Sequence, residues 1–188
     1  MIELTKGQEL VLATEEGQPL SRLRMGLGWD KARAAGPFST GTPDIDLDAS
    51  AVAFADGQLA DLAFYNNLET RDGSVVHLGD NLSGRGEGDD EVLVVDLGKV
   101  HPKIDTIVFL VSSYQGHTLE WIRNAYCRLV DERDVELARV RLTNGVPQTG
   151  MVMATISREG DRWRLRAVGE GIAVKVPSEA VQVLGPFL

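Results

Sequence analysis

The sequence is poor in cysteine and in long apolar runs, and each shortage excludes a class of protein. Cys127 is the single cysteine among 188 residues, so no internal disulfide framework can form. The longest apolar runs, residues 92–95 and 107–111, are far shorter than the roughly 18 to 20 residues of a membrane-spanning helix. Residues 1–5 lack the basic and apolar regions of a signal peptide. We therefore expect a cytoplasmic protein without a membrane span.

Basic residues are also scarce, since the chain has 28 acidic and 19 basic residues and a formal net charge of -9. The imbalance is concentrated, because residues 30–96 contain 14 acidic and 4 basic residues. Binding to nucleic acid needs a basic face that displaces counterions from phosphates. We therefore expect no nucleic-acid partner and favour a cation, with a solvated acidic surface as the alternative.

Motifs of common catalytic sites are missing as well. The sequence has no Gly-x-Ser-x-Gly, no His-Glu-x-x-His and no P-loop motif. His77, His101 and His117 are far apart, so a zinc site would need carboxylate ligands; we expect each histidine to be structural or at the surface. Cys127 lies in an apolar strand pattern, which predicts a buried and inert thiol.

Short runs of β-branched, aliphatic and aromatic residues, separated by turn formers such as Asp72-Gly73, recur along the chain. The predicted strands cover residues 9–14, 22–29, 45–54, 62–65, 74–78, 92–97, 106–112, 125–130, 135–142, 151–157 and 163–168. This spacing predicts a mainly β fold, an antiparallel β-sandwich of two sheets in a single domain over residues 1–188. One or two short helices are expected, at residues 117–124 and at residues 178–183 with Ser178 as the cap.

Two acids stand two residues apart in the predicted strand 45–54. Side chains with this spacing share a face of a strand, so the carboxylates of Asp46 and Asp48 would project the same way. Two like charges in that arrangement repel unless a cation lies between them. Two unrelated acids on a solvent-facing strand are the alternative.

A second acidic feature is the glycine-rich run of residues 79–91. Its hard oxygen donors are Asp80, Asn81, Glu87, Asp89, Asp90 and Glu91. Glycines that let the backbone turn tightly, together with oxygen donors, are typical of a calcium-binding loop. The run is not an EF-hand, because Leu82 and Arg85 occupy positions where that loop needs an oxygen donor and a glycine. A flexible acidic surface turn is the alternative.

Two further oxygen-bearing residues, Asp30 and Asn66, follow predicted strands, where a sandwich gathers its loops. Each alone is more often a turn residue than a ligand. Together with the two acidic features, they would complete the roughly six to eight oxygens that Ca²⁺ takes, with carboxylates left for a second ion.

Several motifs, read in order, resemble the TerD-type tellurium-resistance and stress proteins over almost the whole chain. The motifs are Gly26-Leu27-Gly28-Trp29-Asp30, Asp46-Leu47-Asp48-Ala49-Ser50, Phe64-Tyr65-Asn66-Asn67-Leu68, Gly79-Asp80-Asn81-Leu82-Ser83-Gly84, Arg123-Asn124-Ala125-Tyr126 and Arg166-Ala167-Val168-Gly169. The resemblance implies a cytoplasmic, calcium-binding β-sandwich with two adjacent Ca²⁺ sites and a role in resistance to tellurite and other stresses. Carried onto this sequence, it implies metal ligands at Asp30, Asp46, Asp48, Asn66, Asp80, Asn81, Glu87, Asp89, Asp90 and Glu91.

The sequence departs from the family pattern at two places. Arg85 and Glu87 stand where the family usually has Glu and Asp, so the first change replaces a carboxylate by a guanidinium and weakens one site if that position coordinates. Residues 173–188 lack the family's usual glycine- and alanine-rich helix, so a different packing of this end is expected.

The resulting hypothesis is a non-enzymatic stress-response protein with one or two Ca²⁺ ions as cofactor. Its metal-organised loops would present a surface to a protein partner, either other family members or a membrane-associated complex. The alternative is a metal-dependent phosphoesterase or nucleotide-processing enzyme that uses a two-metal acidic site. Calcium-dependent membrane docking is a third hypothesis, which no exposed basic or aromatic loop in the sequence supports.

Overall fold

A computed structural model describes residues 1–30, 46–79, 88–142 and 145–188. Two six-stranded sheets contain its strands, numbered in chain order. Sheet I contains, in spatial order, β1 (Ile2–Leu4), β10 (Glu136–Leu142), β9 (Arg123–Asp131), β3 (Arg22–Asp30), β7 (Glu91–Asp96) and β6 (Val75–His77). Sheet II contains β2 (Glu9–Val11), β12 (Arg162–Ile172), β11 (Gly150–Glu159), β8 (Thr106–Ser112), β4 (Asp48–Ala55) and β5 (Gln58–Ala63).

The predicted sandwich of two sheets is confirmed, and its strand pairs are antiparallel with one exception. That exception is β1, which pairs in parallel with β10, Ile2 opposite Ala138. Sequence inspection missed β1 because three residues show too little alternation to identify a strand. The strand predicted at residues 106–112 has the observed bounds, since a continuous apolar run bounded by turns is typical of a buried strand.

Both predicted helices are shorter in the structure. The helix expected at residues 117–124 is a single 3-10 turn, Leu119–Trp121, because Ile122 is already extended and β9 begins at Arg123. The second helix, α1, spans Pro177–Ala180 and starts one residue earlier than predicted. The prediction that Ser178 caps it was wrong: Pro177, whose fixed φ suits the first helical turn, places Ser178 inside that turn.

The main core fills the space between the sheets. In β3 and β8 the residues that face it alternate with residues that do not, as Leu23 and Met25 of sheet I and Ile107 and Phe109 of sheet II show. Cys127 belongs to this core and is 2% exposed, which confirms the predicted buried thiol. Burial also raises the pKa of this thiol far above its usual range.

A second apolar cluster covers the outer face of sheet II. On one side it contains Val52, Phe54, Val108, Leu110, Val152, Val168 and Ile172, and on the other it contains Val174, Ala180, Leu184 and Phe187. The C-terminal segment, whose packing the sequence left open, therefore folds back across this face and shields it from water. Burial of such apolar surface contributes about 25 cal/mol per Å².

The strand directions define two ends of the sandwich. At the first, named here the acidic end, β3 and β8 finish while β4 and β7 begin, so Leu27 pairs with Glu91 and Asp48 pairs with Ser112. At the opposite end, β9 finishes at Asp131 and β6 begins after Ser74. Within the described ranges, no helix is long and apolar enough to cross a bilayer.

Candidate metal centre

The acidic end brings together carboxylates that are distant in the sequence. Asp48 begins β4 in sheet II, Glu91 begins β7 in sheet I, and Asp90 directly precedes β7. The Glu91 carboxylate accepts a hydrogen bond from the Ala49 backbone N–H, which links the two sheets beside Asp48. Asp90 Oδ2 accepts a hydrogen bond of 2.8 Å from the Trp29 backbone N–H, next to Asp30 at the end of β3. Four strand ends therefore meet where the candidate ligands stand.

The strand predicted at residues 45–54, which would contain both Asp46 and Asp48, begins later in the structure, at Asp48. Strand β4 begins at Asp48, opposite the last residue of β8, Ser112, so Asp46 precedes the strand. Asp48 is 6% exposed, whereas Asp46 is half-buried. Asp46 lies in the segment that leads into β4, so a common direction of its carboxylate and that of Asp48 stays a prediction.

Asp89, Asp90 and Glu91 are consecutive in sequence and contact three different strands. Asp89 forms two hydrogen bonds with Arg128 of β9, Asp90 contacts the β3 backbone, and Glu91 contacts the β4 backbone. The acidic run therefore ties the start of β7 to the adjacent β3, to β9 beyond it in sheet I, and to β4 in sheet II. Its assignment as a set of metal ligands stays a prediction.

Glu91 also has a histidine neighbour, His77, that no sequence pattern predicts. The side chains of His77 and Glu91 are both 0% exposed, and His77 Nε2 lies 3.4 Å from Glu91 Oε2. His77 Nδ1 accepts a hydrogen bond of 3.1 Å from the Gly79 backbone N–H. Because Nδ1 accepts this hydrogen bond, Nε2 is the ring nitrogen that bears a proton, and it lies beside the Glu91 carboxylate without a hydrogen bond to it. The expectation of a structural histidine is met at His77.

The turn after β5 brings aromatic rings to the same end. Asn66 is exposed in a turn closed by two backbone hydrogen bonds between Phe64 and Asn67. Burial and the nearby Asp48 charge raise the pKa of Tyr65. The ring of Tyr65 packs edge to face against Tyr114, at 5.9 Å between centroids. Asn66 therefore lies at the acidic end, next in sequence to Tyr65, whose pKa the Asp48 charge helps to raise.

Two serine hydroxyls beside Asp48 were not among the predicted ligands. Ser50 follows Asp48 by two residues, and Ser112 is its partner across the ladder, so all three side chains share the outer face of sheet II. Both serines are 0% exposed, and neither Oγ has a hydrogen-bond partner among the described residues. The signal that could have found Ser50 is the two-residue spacing after Asp48; Ser112 required the register of the sheet.

The other predicted ligands are less completely described. Asp80, Asn81 and Glu87 lie outside the described residues, and for Asp30 the structure gives the backbone at the end of β3. In the described part of the chain, no group of three or more His, Cys, Asp or Glu side chains has a geometry that would hold a metal ion. The described residues alone therefore do not form a complete site, and the ligand set stays a prediction.

The fold and the acidic end together define a class of protein: a β-sandwich in which acidic residues gather at the strand termini of one end. The TerD domain model matches residues 1–178, so the chain belongs to the TerD domain family. This confirms the family resemblance seen in the sequence motifs.

Named relatives are similar over most of the chain. Tellurium resistance protein TerZ of Serratia marcescens is 38% identical over 173 residues, 90% of this chain and 89% of that protein. Stress response protein SCP2 of Bacillus subtilis is 40% identical over 184 residues, 90% of this chain and 92% of that protein. The crystal structure of a protein of unknown function, SAV2460, superposes with a TM-score of 0.72 at 20% identity, covering 89% of this chain and 98% of that one. This last likeness concerns the fold alone.

Proposed function

We propose that this protein is a cytoplasmic, non-enzymatic stress-response module that binds one or two Ca²⁺ ions at the acidic end. The observation that carries the proposal is the meeting of Asp48, Asp90 and Glu91 at one end of the sandwich, from two sheets. Family membership supports it, since relatives are named for tellurium resistance and stress response. A cation would reduce the repulsion among the carboxylates at this end.

The chemistry of the oxygen donors fits Ca²⁺. Carboxylate and hydroxyl oxygens are the hard ligands that this ion prefers. In the described part, Asp46, Asp48, Asp90 and Glu91 would supply the charge, and the buried hydroxyls of Ser50 and Ser112 are neutral oxygens nearby. Asp30, Asn66, Asp80, Asn81, Glu87 and Asp89 complete the proposed set. When bound, Ca²⁺ would supply charge neutralisation and cross-linking of strand ends.

The same end carries exposed apolar side chains that suit a partner. Leu78 and Tyr114 are each 62% exposed, directly after the ends of β6 and β8. A contiguous exposed apolar patch rimmed by polar residues marks an interaction site, and we propose that Leu78 and Tyr114 belong to one. We propose that the metal-ordered end binds another protein of this family. Sedimentation of this chain with a second purified family member should show association that EDTA abolishes and that Leu78→Ser weakens; equal sedimentation in EDTA and Ca²⁺ would reject the partner.

Titration calorimetry and thermal unfolding test the metal. Protein stripped with EDTA should release or absorb heat on addition of Ca²⁺, and its melting temperature should rise. A ligand that binds the native state alone stabilises it by RT ln(1 + [L]/Kd), about 2.7 kcal/mol at a hundredfold excess over Kd. Absence of heat and of a melting shift at millimolar Ca²⁺ would reject the proposal.

A matched pair of variants localises the ion. Asp48→Asn removes one charge at the acidic end, and Asp134→Asn removes one charge from an exposed turn at the opposite end, where Asp134 pairs with Arg24. Asn accommodates the positive φ of residue 134, so the control keeps its backbone. Asp48→Asn should weaken Ca²⁺ binding at least tenfold while Asp134→Asn leaves it within about twofold, the effect of one distant, screened charge.

A further inference from the structure

The carboxylate of Asp89 is held by a neighbouring strand. Arg128 Nε donates to Asp89 Oδ1 at 2.7 Å, and Arg128 Nη2 donates to Asp89 Oδ2 at 2.9 Å. This is a two-pronged guanidinium–carboxylate pair, the strongest form of such a contact. Tyr126 Oη adds a hydrogen bond of 3.2 Å to Oδ1, and the Asp89 side chain is 5% exposed. Both oxygens are therefore occupied and shielded from water.

Two glycines of β3 make room for this arrangement. A Cβ added to Gly26 would lie 2.1 Å from Asp89 Oδ2, and one added to Gly28 would lie 2.5 Å from the Tyr126 ring. Any side chain at residue 26 would therefore displace the carboxylate. The Gly26-Leu27-Gly28 motif is explained by this close approach across sheet I.

Arg128 belongs to a wider network on the outer face of sheet I. Its Nη1 lies 3.4 Å from Glu136 Oε2, and Glu136 in turn accepts two hydrogen bonds from Arg139, at 2.7 and 2.8 Å. The Arg139 guanidinium lies 4.4 Å from the centre of the Tyr126 ring. The hydrogen bond with Asp89 is the main cause that raises the pKa of Arg128 above its usual range. Asp89 is therefore one terminus of a fixed array spanning β7, β9 and β10.

We propose that Asp89 is a positioning residue of the calcium site and that Arg128 is its partner. To ligate a cation, Asp89 would have to leave a guanidinium that satisfies both of its oxygens, and breaking a shielded ion pair is costly. Instead, the pair fixes the first residues of β7, so that Asp90 and Glu91 point toward β3 and β4. This inference rests on the proposed function and reassigns one of its predicted ligands.

The Ca²⁺ affinity of Arg128→Gln decides between positioning and ligation, because the two roles predict changes of opposite sign. If Asp89 positions its neighbours, Arg128→Gln should raise the Kd for Ca²⁺ about 10- to 100-fold, the usual effect of losing a group that orients ligands. If Asp89 is a ligand that Arg128 holds back, the same change frees the carboxylate and lowers the Kd. Titration calorimetry measures both, and an unchanged or lower Kd overturns the inference.

Arg24→Gln is the matched control, since Arg24 lies on the same face and pairs with the exposed Asp134. The Kd of the Arg24→Gln variant for Ca²⁺ should stay within about twofold of the wild-type value, because exposed ion pairs contribute little to the free energy of folding. Arg128→Lys keeps the charge but loses the planar fork, so it should fall between the wild type and Arg128→Gln; it serves if the glutamine variant fails to fold.

The double variant Asp89→Asn/Arg128→Gln tests whether Asp89 and Arg128 act as one unit or as two independent groups. If the pair acts as one unit, the double variant should bind Ca²⁺ no more weakly than the weaker single variant. Opposing effects of the two single changes would overturn the inference while leaving the calcium site intact. Wild-type protein that binds no Ca²⁺ at all would instead reject the proposed function, so the two failures give different results.

Discussion

Acidic residues occupy both ends of the sandwich, and the two ends hold them in different ways. At the end opposite the proposed site, Asp131 accepts hydrogen bonds from the backbone N–H groups of Arg133, at 2.9 Å, and Val135, at 2.8 Å, two and four residues ahead of it. Asp72 accepts a hydrogen bond of 2.9 Å from the Ser74 backbone N–H two residues ahead. These acids mainly close their own turns.

At the acidic end the donors come from distant parts of the chain. The Trp29 N–H that contacts Asp90, the Ala49 N–H that contacts Glu91 and the Arg128 guanidinium that contacts Asp89 are 61, 42 and 39 residues away. A turn acid stabilises a loop, whereas an acid with distant donors joins strands. Strand ends joined in this way meet at one place, which is where a cation would find several carboxylates.

The largest effect should come from Glu91→Ala. The change removes the acceptor of the Ala49 N–H and the carboxylate that lies 3.4 Å from the buried His77 Nε2, so the free energy of unfolding in EDTA should fall by about 3 kcal/mol or more. Glu91→Gln keeps the size and an acceptor oxygen and should cost less. Urea unfolding measures both, and a loss under about 1 kcal/mol for Glu91→Ala would show that Glu91 does not join the sheets.

A smaller effect is expected from Asp131→Ala at the opposite end. Two backbone N–H groups lose their acceptor, which should cost about 1 to 3 kcal/mol. The increase in melting temperature caused by Ca²⁺ should stay at the wild-type value, because the turn is remote from the site. Arg133→Gln, which keeps both backbone donors and removes an exposed guanidinium, is the control. A reduced Ca²⁺ response in Asp131→Ala would mean that the two ends are coupled.

The smallest effect is a dependence of stability on pH through Asp72. Burial raises its pKa, but hydrogen bonds from Ser74, His101 and Thr70 outweigh burial and bring the pKa to about 2, below its ordinary value of 3.8. The folded state therefore gains stability from the ionised carboxylate above about pH 4, and this gain disappears as the pH falls through about 2. Urea midpoints of wild type and Asp72→Asn should converge over that interval; a constant difference would contradict the assignment.

How well the sequence predicted each element depends on how local its cause is. Residues 106–112 are continuously apolar, so both the strand and its bounds followed from the sequence. Asp46 was placed on a strand because its neighbours resemble one, but the ladder of β4 with β8 begins at Asp48, opposite Ser112, the last residue of β8. The helix predicted at residues 117–124 is cut short because the chain pairs with β3, as strand β9, from Arg123 onward.

The candidate site was also predictable from the sequence only in part. Composition and motifs located the acidic segment, the family and the residue types that suit a cation. They gave no sign that Ser112 would lie opposite Asp48, that His77 would face Glu91, or that Arg128 would hold Asp89. These contacts join residues whose separation in sequence carries no periodic signal.

The sequence by itself determined the sheet-forming alternation, the excess of acid in residues 30–96 and membership of the TerD family, because each is a property of composition or local order. Tertiary structure decided which of three consecutive acids contacts Arg128, which contacts the β3 backbone and which enters the space between the sheets. Alternation along a strand fixes the face on which a side chain lies. The group that meets it there is set by the register and packing of strands brought together by folding.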